Sequence, residues 1–310
     1  MRVAVTGAGG RLGRAVLAAL AEAPFTGIAG PLAWRRPDYD LDDPDSGARL
    51  IARDRPELIV HAAAWTDVDG CARDPELAGR RNGDAVGRLA EAAAGAGVDL
   101  ILVSTNEVFD GRRTDGRGYR PDDPPSPINA YGESKLAGEV AALAAFASAD
   151  SQATLAIVRT SWLYGPPGND FPEKIARAAE RALVAGEALR VVGDETGSPT
   201  YTNDVADGIV EMIGSGEPLA GVHHLVNGGT ATRASWARAV LAGLGIAPRI
   251  EEVPGATWTR ASTPPAWAVL EPTSMPSGEP LRPWTAALAD YLPVLRRQLV
   301  GPGVAGGARR

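Results

Sequence analysis

Residues 2–23, RVAVTGAGGRLGRAVLAALAEA, decide the fold. RVAVTG (2–7) is a short apolar run with β-branched residues, the pattern of a strand buried on both faces. RLGRAVLAALAEA (11–23) carries Ala and Leu at helical spacing and reads as a helix. Gly7, Gly10 and Gly13 stand between and just inside them, spaced GxxGxxG. Gly7 permits a tight turn out of the strand, Gly10 lets backbone approach a pyrophosphate, and Gly13 lets helix and strand pack closely. Arg11 and Leu12 lie in the first helical turn, where free N–H groups and the positive dipole end suit a phosphate. A glycine-rich turn alone is weak evidence; in a strand–turn–helix setting it indicates a dinucleotide site.

Working outward, the alternation continues. ELIVHAAA (57–64), VDLILVSTN (98–106) and TLAIVRTSW (154–162) read as strands, and GIAGPLAWRR (27–36) as a weaker one. GRLAEAAAGAG (87–97) and residues 128–147 read as helices. Strands alternating with helices predict an α/β protein with a Rossmann-like, doubly wound parallel sheet over residues 1–162. Beyond residue 163 Pro and Gly become dense, although 171–186 and 203–214 keep helical patterns. That half predicts a smaller, loop-rich substrate lobe over 163–298, partly interwoven with the first domain. GPGVAGGARR closes the chain without apolar periodicity, so 299–310 is expected to be a disordered tail.

The 310-residue chain has net charge −7. That balance speaks against nucleic acid or an acidic membrane as partner, but not against a small phosphorylated ligand. No stretch is long and apolar enough to span a bilayer, and the N-terminus begins directly as a strand. The single cysteine, Cys71, cannot form an intrachain disulfide, and a cytoplasmic protein is expected.

YGESK (131–135) places Tyr131 and Lys135 four residues apart, on one face of a helix. An ammonium beside a phenol stabilises the phenolate and tunes it for proton transfer. Alone, this pair is a common surface motif. Thr105 strengthens it, because it closes the 98–106 strand, and ligands collect at the carboxyl ends of such strands. The second strand should end near Trp34 and be followed by Arg35 and Arg36. An NAD-selective site would place a carboxylate there. Two guanidiniums suit a 2′-phosphate, which favours NADPH over NADH. Asp40 and Leu41 are expected on the adenine side. His61 reads as a packed, hydrogen-bonded ring. His223 and His224 open a strand pattern with no third ligand in view, and the acidic run 38–45 reads as a solvated loop, so no metal site is expected.

Together these segments resemble the extended short-chain dehydrogenase/reductase family, and within it the dTDP-4-dehydrorhamnose reductases, over residues 1–295. The resemblance is carried by TGAGGRLG (6–13), HAAAWTDVDGCA (61–72), VSTNEVFDG (103–111), NAYGESKLAGE (129–139), VRTSWLYG (158–165) and GDETGSPTYTNDVA (193–206). It implies hydride transfer from NAD(P)H to C4 of a 4-keto-6-deoxy sugar on a nucleoside diphosphate, with Thr105, Tyr131 and Lys135 as the catalytic set. It implies that Ala62, Ala63 and Ala64 lie along the cofactor and that Val68 and Trp162 lie near the sugar or nucleotide. Two departures fall at the expected substrate pocket. Asn106-Glu107 replaces the family's Asp-Tyr, and Trp267 stands where its Asn is expected. A cofactor-recycling sugar-nucleotide epimerase or dehydratase, and a non-catalytic regulatory subunit of the same fold, are the competing readings. A homodimer is the expected assembly.

Overall fold

A computed structural model describes residues 1–300. The first half holds β1 (Val3–Thr6), α1 (Arg11–Glu22), β2 (Leu32–Trp34), α2 (Ser46–Asp54) and β3 (Leu58–His61). It continues with α3 (Val68–Arg73), α4 (Pro75–Ala78), α5 (Ala85–Gly95), β4 (Asp99–Thr105), α6 (Ala130–Ser148) and β5 (Leu155–Thr160). The second half begins with β6 (Leu163–Tyr164), α7 (Phe171–Ala185), β7 (Leu189–Val192), β8 (Thr196–Gly197), β9 (Thr200–Tyr201) and α8 (Thr202–Gly214). After these come β10 (Gly221–His224), β11 (Ala231–Thr232), α9 (Arg233–Leu244), β12 (Ile250–Val253), β13 (Trp267–Ala268) and α10 (Trp284–Val300).

The main sheet has six strands in the order β2–β1–β3–β4–β5–β10. Every neighbouring pair in it is parallel. Successive residues serve opposite faces, as the pleat requires. Val3, Val5, Leu58, Val60 and Ile101 pack under α1 and α8, with Leu12, Val16, Leu20, Val205 and Ile209. Ala4, Ile59, Leu100 and Leu102 pack under α2, α5 and α6, with Leu50, Ile51, Leu89 and Ala142. The chain steps from β1 outward to β2 and then returns to β3 on the other side. The crevice at the carboxyl ends of β1 and β3 is therefore the topological switch point, where ligands of such sheets bind.

The second half joins this sheet by contributing β10, which lies beside β5. Its own core gathers Tyr164, Val191, Tyr201, Trp236, Val240 and Tyr291 between α7, α9 and α10. Helices α9 and α10 are absent from the sequence reading above. Pro293 interrupts the pattern of α10, yet Ala287, Leu288, Tyr291 and Leu295 still form its buried stripe. That helix runs through Val300, two residues into the stretch read as a tail; residues 301–310 lie outside the described residues. The histidine pair closes β10 rather than opening a strand, because pairing with β5 ends at Arg159 opposite His224. Among the described residues no helix is long and apolar enough to cross a membrane, and no cluster of His, Cys, Asp or Glu could hold a metal ion.

Candidate active site

The last residues of β1, β3 and β4, Thr6, His61 and Thr105, are polar. Thr6 and His61 stand opposite each other, with Thr6 Oγ1 2.9 Å from His61 Nδ1. The His61 ring is fully buried, with Tyr39 against it edge-on. Burial, helped by the charge of Lys135, holds its pKa down at about 3. His224 is likewise held at about 4, chiefly by burial. His61 is the packed, hydrogen-bonded ring expected. The fold accommodates only the neutral rings. As pH falls below the ordinary 6.5, the unfolded chain takes up protons that the folded chain refuses, so stability drops until pH nears the folded values. Urea midpoints are therefore expected to fall between pH 6.5 and pH 4, and His61→Asn should flatten that decline relative to its own value at pH 7.

Beside this pair the glycine turn approaches the end of β3. Gly7 has φ +62°, and a Cβ there would lie 2.7 Å from Ala63 N. Ala63 N–H donates to Thr6 Oγ1, and Ala62, Ala63 and Ala64 are all partly accessible. No side chain caps α1, and no acidic residue occupies its first turn. Its leading N–H groups are therefore unclaimed by side chains, which is what a pyrophosphate needs. The Arg11 guanidinium points elsewhere: Nε donates to Gly165 O at 3.1 Å and Nη2 to Gly168 O at 2.7 Å. Arg11 can thus offer a phosphate only its backbone. The side chains of Leu12 and Leu41 are buried in the two cores. Arg35 and Arg36 directly follow β2, both exposed and with no hydrogen-bond partner for either guanidinium among the described residues. Asp40 accepts from Asp42 N–H within its own loop.

Thr105 closes β4, and Asn129 caps α6 by accepting from Gly132 N–H at 2.9 Å. One turn apart on α6 stand Tyr131 and Lys135. Lys135 Nζ, buried, donates to Val103 O at 2.8 Å. Burial brings its pKa down to about 8 against the pull of Glu139. Burial and then the Glu107 carboxylate raise the Tyr131 phenol above its usual value, while hydrogen bonding with Thr105 pulls it back. Before ligands arrive the phenol is therefore protonated at neutral pH, a proton donor in waiting. A turn further along α6, Glu139 receives Arg159 of β5 through Nε at 3.0 Å and Nη2 at 2.6 Å, and Ser104 Oγ donates to the same carboxylate.

On the lobe side, Trp162 adopts φ +43° and stacks on Trp236. The Arg233 guanidinium lies 3.5 Å above the Trp162 ring centre. Arg233 also meets Glu195 at 3.5 Å, and Arg260 bonds the other oxygen of Glu195. Glu107 reaches this region from β4, its N–H on Thr105 Oγ1 and its carboxylate accepting from Asn129 Nδ2 at 2.6 Å. Val68 opens α3, partly accessible. Trp267 is set apart: its indole donates to Arg117 O, and it packs with Phe109 and Tyr119. Sequence reasoning passed over Arg233, which belongs to no spaced motif, and did not single out Glu195 within GDETGSPTYTNDVA. Asn129 did carry a signal, an N-cap residue directly before the YGESK helix.

The chain is 37% identical over 295 residues to the dTDP-4-dehydrorhamnose reductase of Mycolicibacterium smegmatis, covering 93% of this chain and 84% of that one. It is 36% identical to the dTDP-4-keto-6-deoxy-D-glucose reductase of Streptomyces niveus, covering 94% and 96%. The crystal structure of the Bacillus anthracis dTDP-4-dehydrorhamnose reductase in complex with NADP superposes with TM-score 0.83 at 28% identity, covering 94% of this chain and 99% of that one. The profile of the RmlD substrate binding domain matches residues 1–297, and the chain belongs to that family.

Proposed function

We propose that this protein is an NADPH-dependent reductase of the C4 ketone of a dTDP-linked 4-keto-6-deoxy sugar. The observation that carries the reading is the convergence of Thr105, Tyr131 and Lys135 beside an uncapped, glycine-lined helix start at the switch point of the sheet. The turn fits a dinucleotide: Gly9 and Gly10 are exposed, and a Cβ at Gly9 would meet nothing within 4 Å. When bound there, a reduced nicotinamide supplies hydride to the ketone carbon. Thr105 and Tyr131 hold the ketone oxygen by hydrogen bonds, and the Tyr131 hydroxyl hands it the proton, so that ketone becomes alcohol and phenol becomes phenolate. Lys135 steadies that phenolate and presents its ammonium to the nicotinamide ribose. We assign the diphosphate of the sugar nucleotide to Arg233 and Arg260, the two guanidiniums that flank Glu195.

Purified protein mixed with dTDP-4-keto-6-deoxyglucose, with and without its 3,5-epimerised form, should consume NADPH with one of the two ketones. Tightly carried NAD, with turnover needing no added NADPH, would favour the epimerase reading instead. Arg35→Ala with Arg36→Ala should raise the KM for NADPH roughly tenfold or more while leaving that for NADH within about twofold, since only the 2′-phosphate loses its charge-assisted bonds. Equal loss with both cofactors would refute that assignment. The reading extends to the cytoplasm as compartment and to a homodimer, for which exposed Val140 and Leu143 on α6 offer apolar surface that sedimentation can test.

A further inference from the structure

Three enclosed carboxylates around the cleft are matched by guanidiniums, and a fourth, Asp170, takes three hydrogen bonds, from Gly165 N–H, Glu173 N–H and the Tyr291 hydroxyl. Glu195 has Arg233 and Arg260, Glu139 has Arg159, and Asp204 has Arg282. Glu107 is different. It makes no salt bridge among the described residues, and its sole side-chain donor is Asn129, on one oxygen. Burial raises its pKa, and the Asn129 hydrogen bond and the charges of Arg233 and Arg260, which together outweigh the neighbouring Glu195, offset that only in part. A carboxylate in this condition lacks a donor, and enclosing it unmatched is costly. The residue is nonetheless partly accessible, so a ligand can reach it.

Its position says which end of the ligand that is. Glu107 lies two residues beyond Thr105, and its N–H is bonded to the Thr105 hydroxyl. Its backbone carbonyl is so close to Gly132, beside Tyr131, that a Cβ there would collide with it. Asn129 fixes the carboxylate from the cap of the same helix. Glu107 is therefore held at the ketone end of the site.

We infer that Glu107 is a specificity-determining residue, whose free carboxylate oxygen accepts a hydrogen bond from a hydroxyl or ammonium on the sugar ring beside the ketone. The inference rests on the reductase reading above. A neutral ring without such a donor leaves the carboxylate unmatched and is rejected.

The test is a cycle between Glu107→Gln and the substrate. Wild type and variant are assayed with the dTDP-4-keto-6-deoxy sugar, with its analogue lacking the hydroxyl next to the ketone, and with its analogue bearing an amino group there. For the hydroxyl substrate, Glu107→Gln should lower kcat/KM by about 10- to 100-fold, mainly through KM. For the deoxy analogue, the two proteins should be equal within about twofold. Glu107→Asp should recover part of the loss. A wild-type preference for the amino analogue that disappears in the variant identifies the donor as ammonium; preference for the hydroxyl identifies the alcohol. Equal losses with all three sugars, or none, would overturn the inference. If wild type consumes no NADPH with any of them, the reductase reading has failed, and binding of dTDP-rhamnose by calorimetry decides the contact separately. Weaker binding by Glu107→Gln upholds it, and equal binding rejects it.

Discussion

Tyr131→Phe is expected to lower kcat for ketone reduction by about 10²- to 10⁴-fold, the range for loss of a positioned general acid. The size follows from the lack of a substitute. The Cys71 thiol is pushed up to about 11, chiefly by burial. His61 is neutral, its pKa at about 3, with Nδ1 engaged by Thr6. Lys135 can lose a proton near pH 8, but its Nζ is tied to the Val103 carbonyl. Removing one hydroxyl leaves the ring and its packing in place. NADPH binding, measured by nicotinamide fluorescence, and the melting temperature should stay close to wild type. Full activity in the variant would remove Tyr131 from the mechanism, and loss of cofactor binding would point to a structural role.

The second large effect is on stability. Arg159 and Glu139 are almost completely enclosed, with side-chain exposures of 4% and 3%. Glu139→Ala removes one charge and leaves the guanidinium stranded over Phe109 and beside a Ser104 hydroxyl that has lost its acceptor. Breaking such a pair costs about 3–5 kcal/mol. A loss of unfolding free energy of that size, read from urea denaturation, is expected, and about the same for Arg159→Ala. Glu139→Leu with Arg159→Met should recover much of it, because two well-packed apolar groups leave no charge unmatched. If each single variant costs under about 1 kcal/mol, the enclosed pair is better hydrated than its burial implies.

The parts of this fold legible in the sequence are those governed by neighbouring residues. β3, β4 and β5 are enclosed on both faces, so Leu58–Val60 and Leu100–Leu102 read as unbroken apolar runs. β2 was weaker in sequence because only Trp34 of its three residues is buried. Thr105, Tyr131 and Lys135 were legible because one strand end and one helix carry them. The Glu195–Arg233–Arg260 group was not, since its members meet only after β8, α9 and the loop following β12 have packed. Trp267 shows the converse. Its place in the chain suggested the pocket, whereas its indole bonds to Arg117 and belongs to a separate aromatic cluster.

The bonds from Arg11 to Gly165 and Gly168 bear on how the two halves communicate. They anchor the helix behind the glycine turn to the first loop of the lobe, across the cleft mouth. A rotation of the lobe must therefore either carry α1 with it or break those two bonds. The two halves thus share one mechanical joint, made by the side chain of a single arginine.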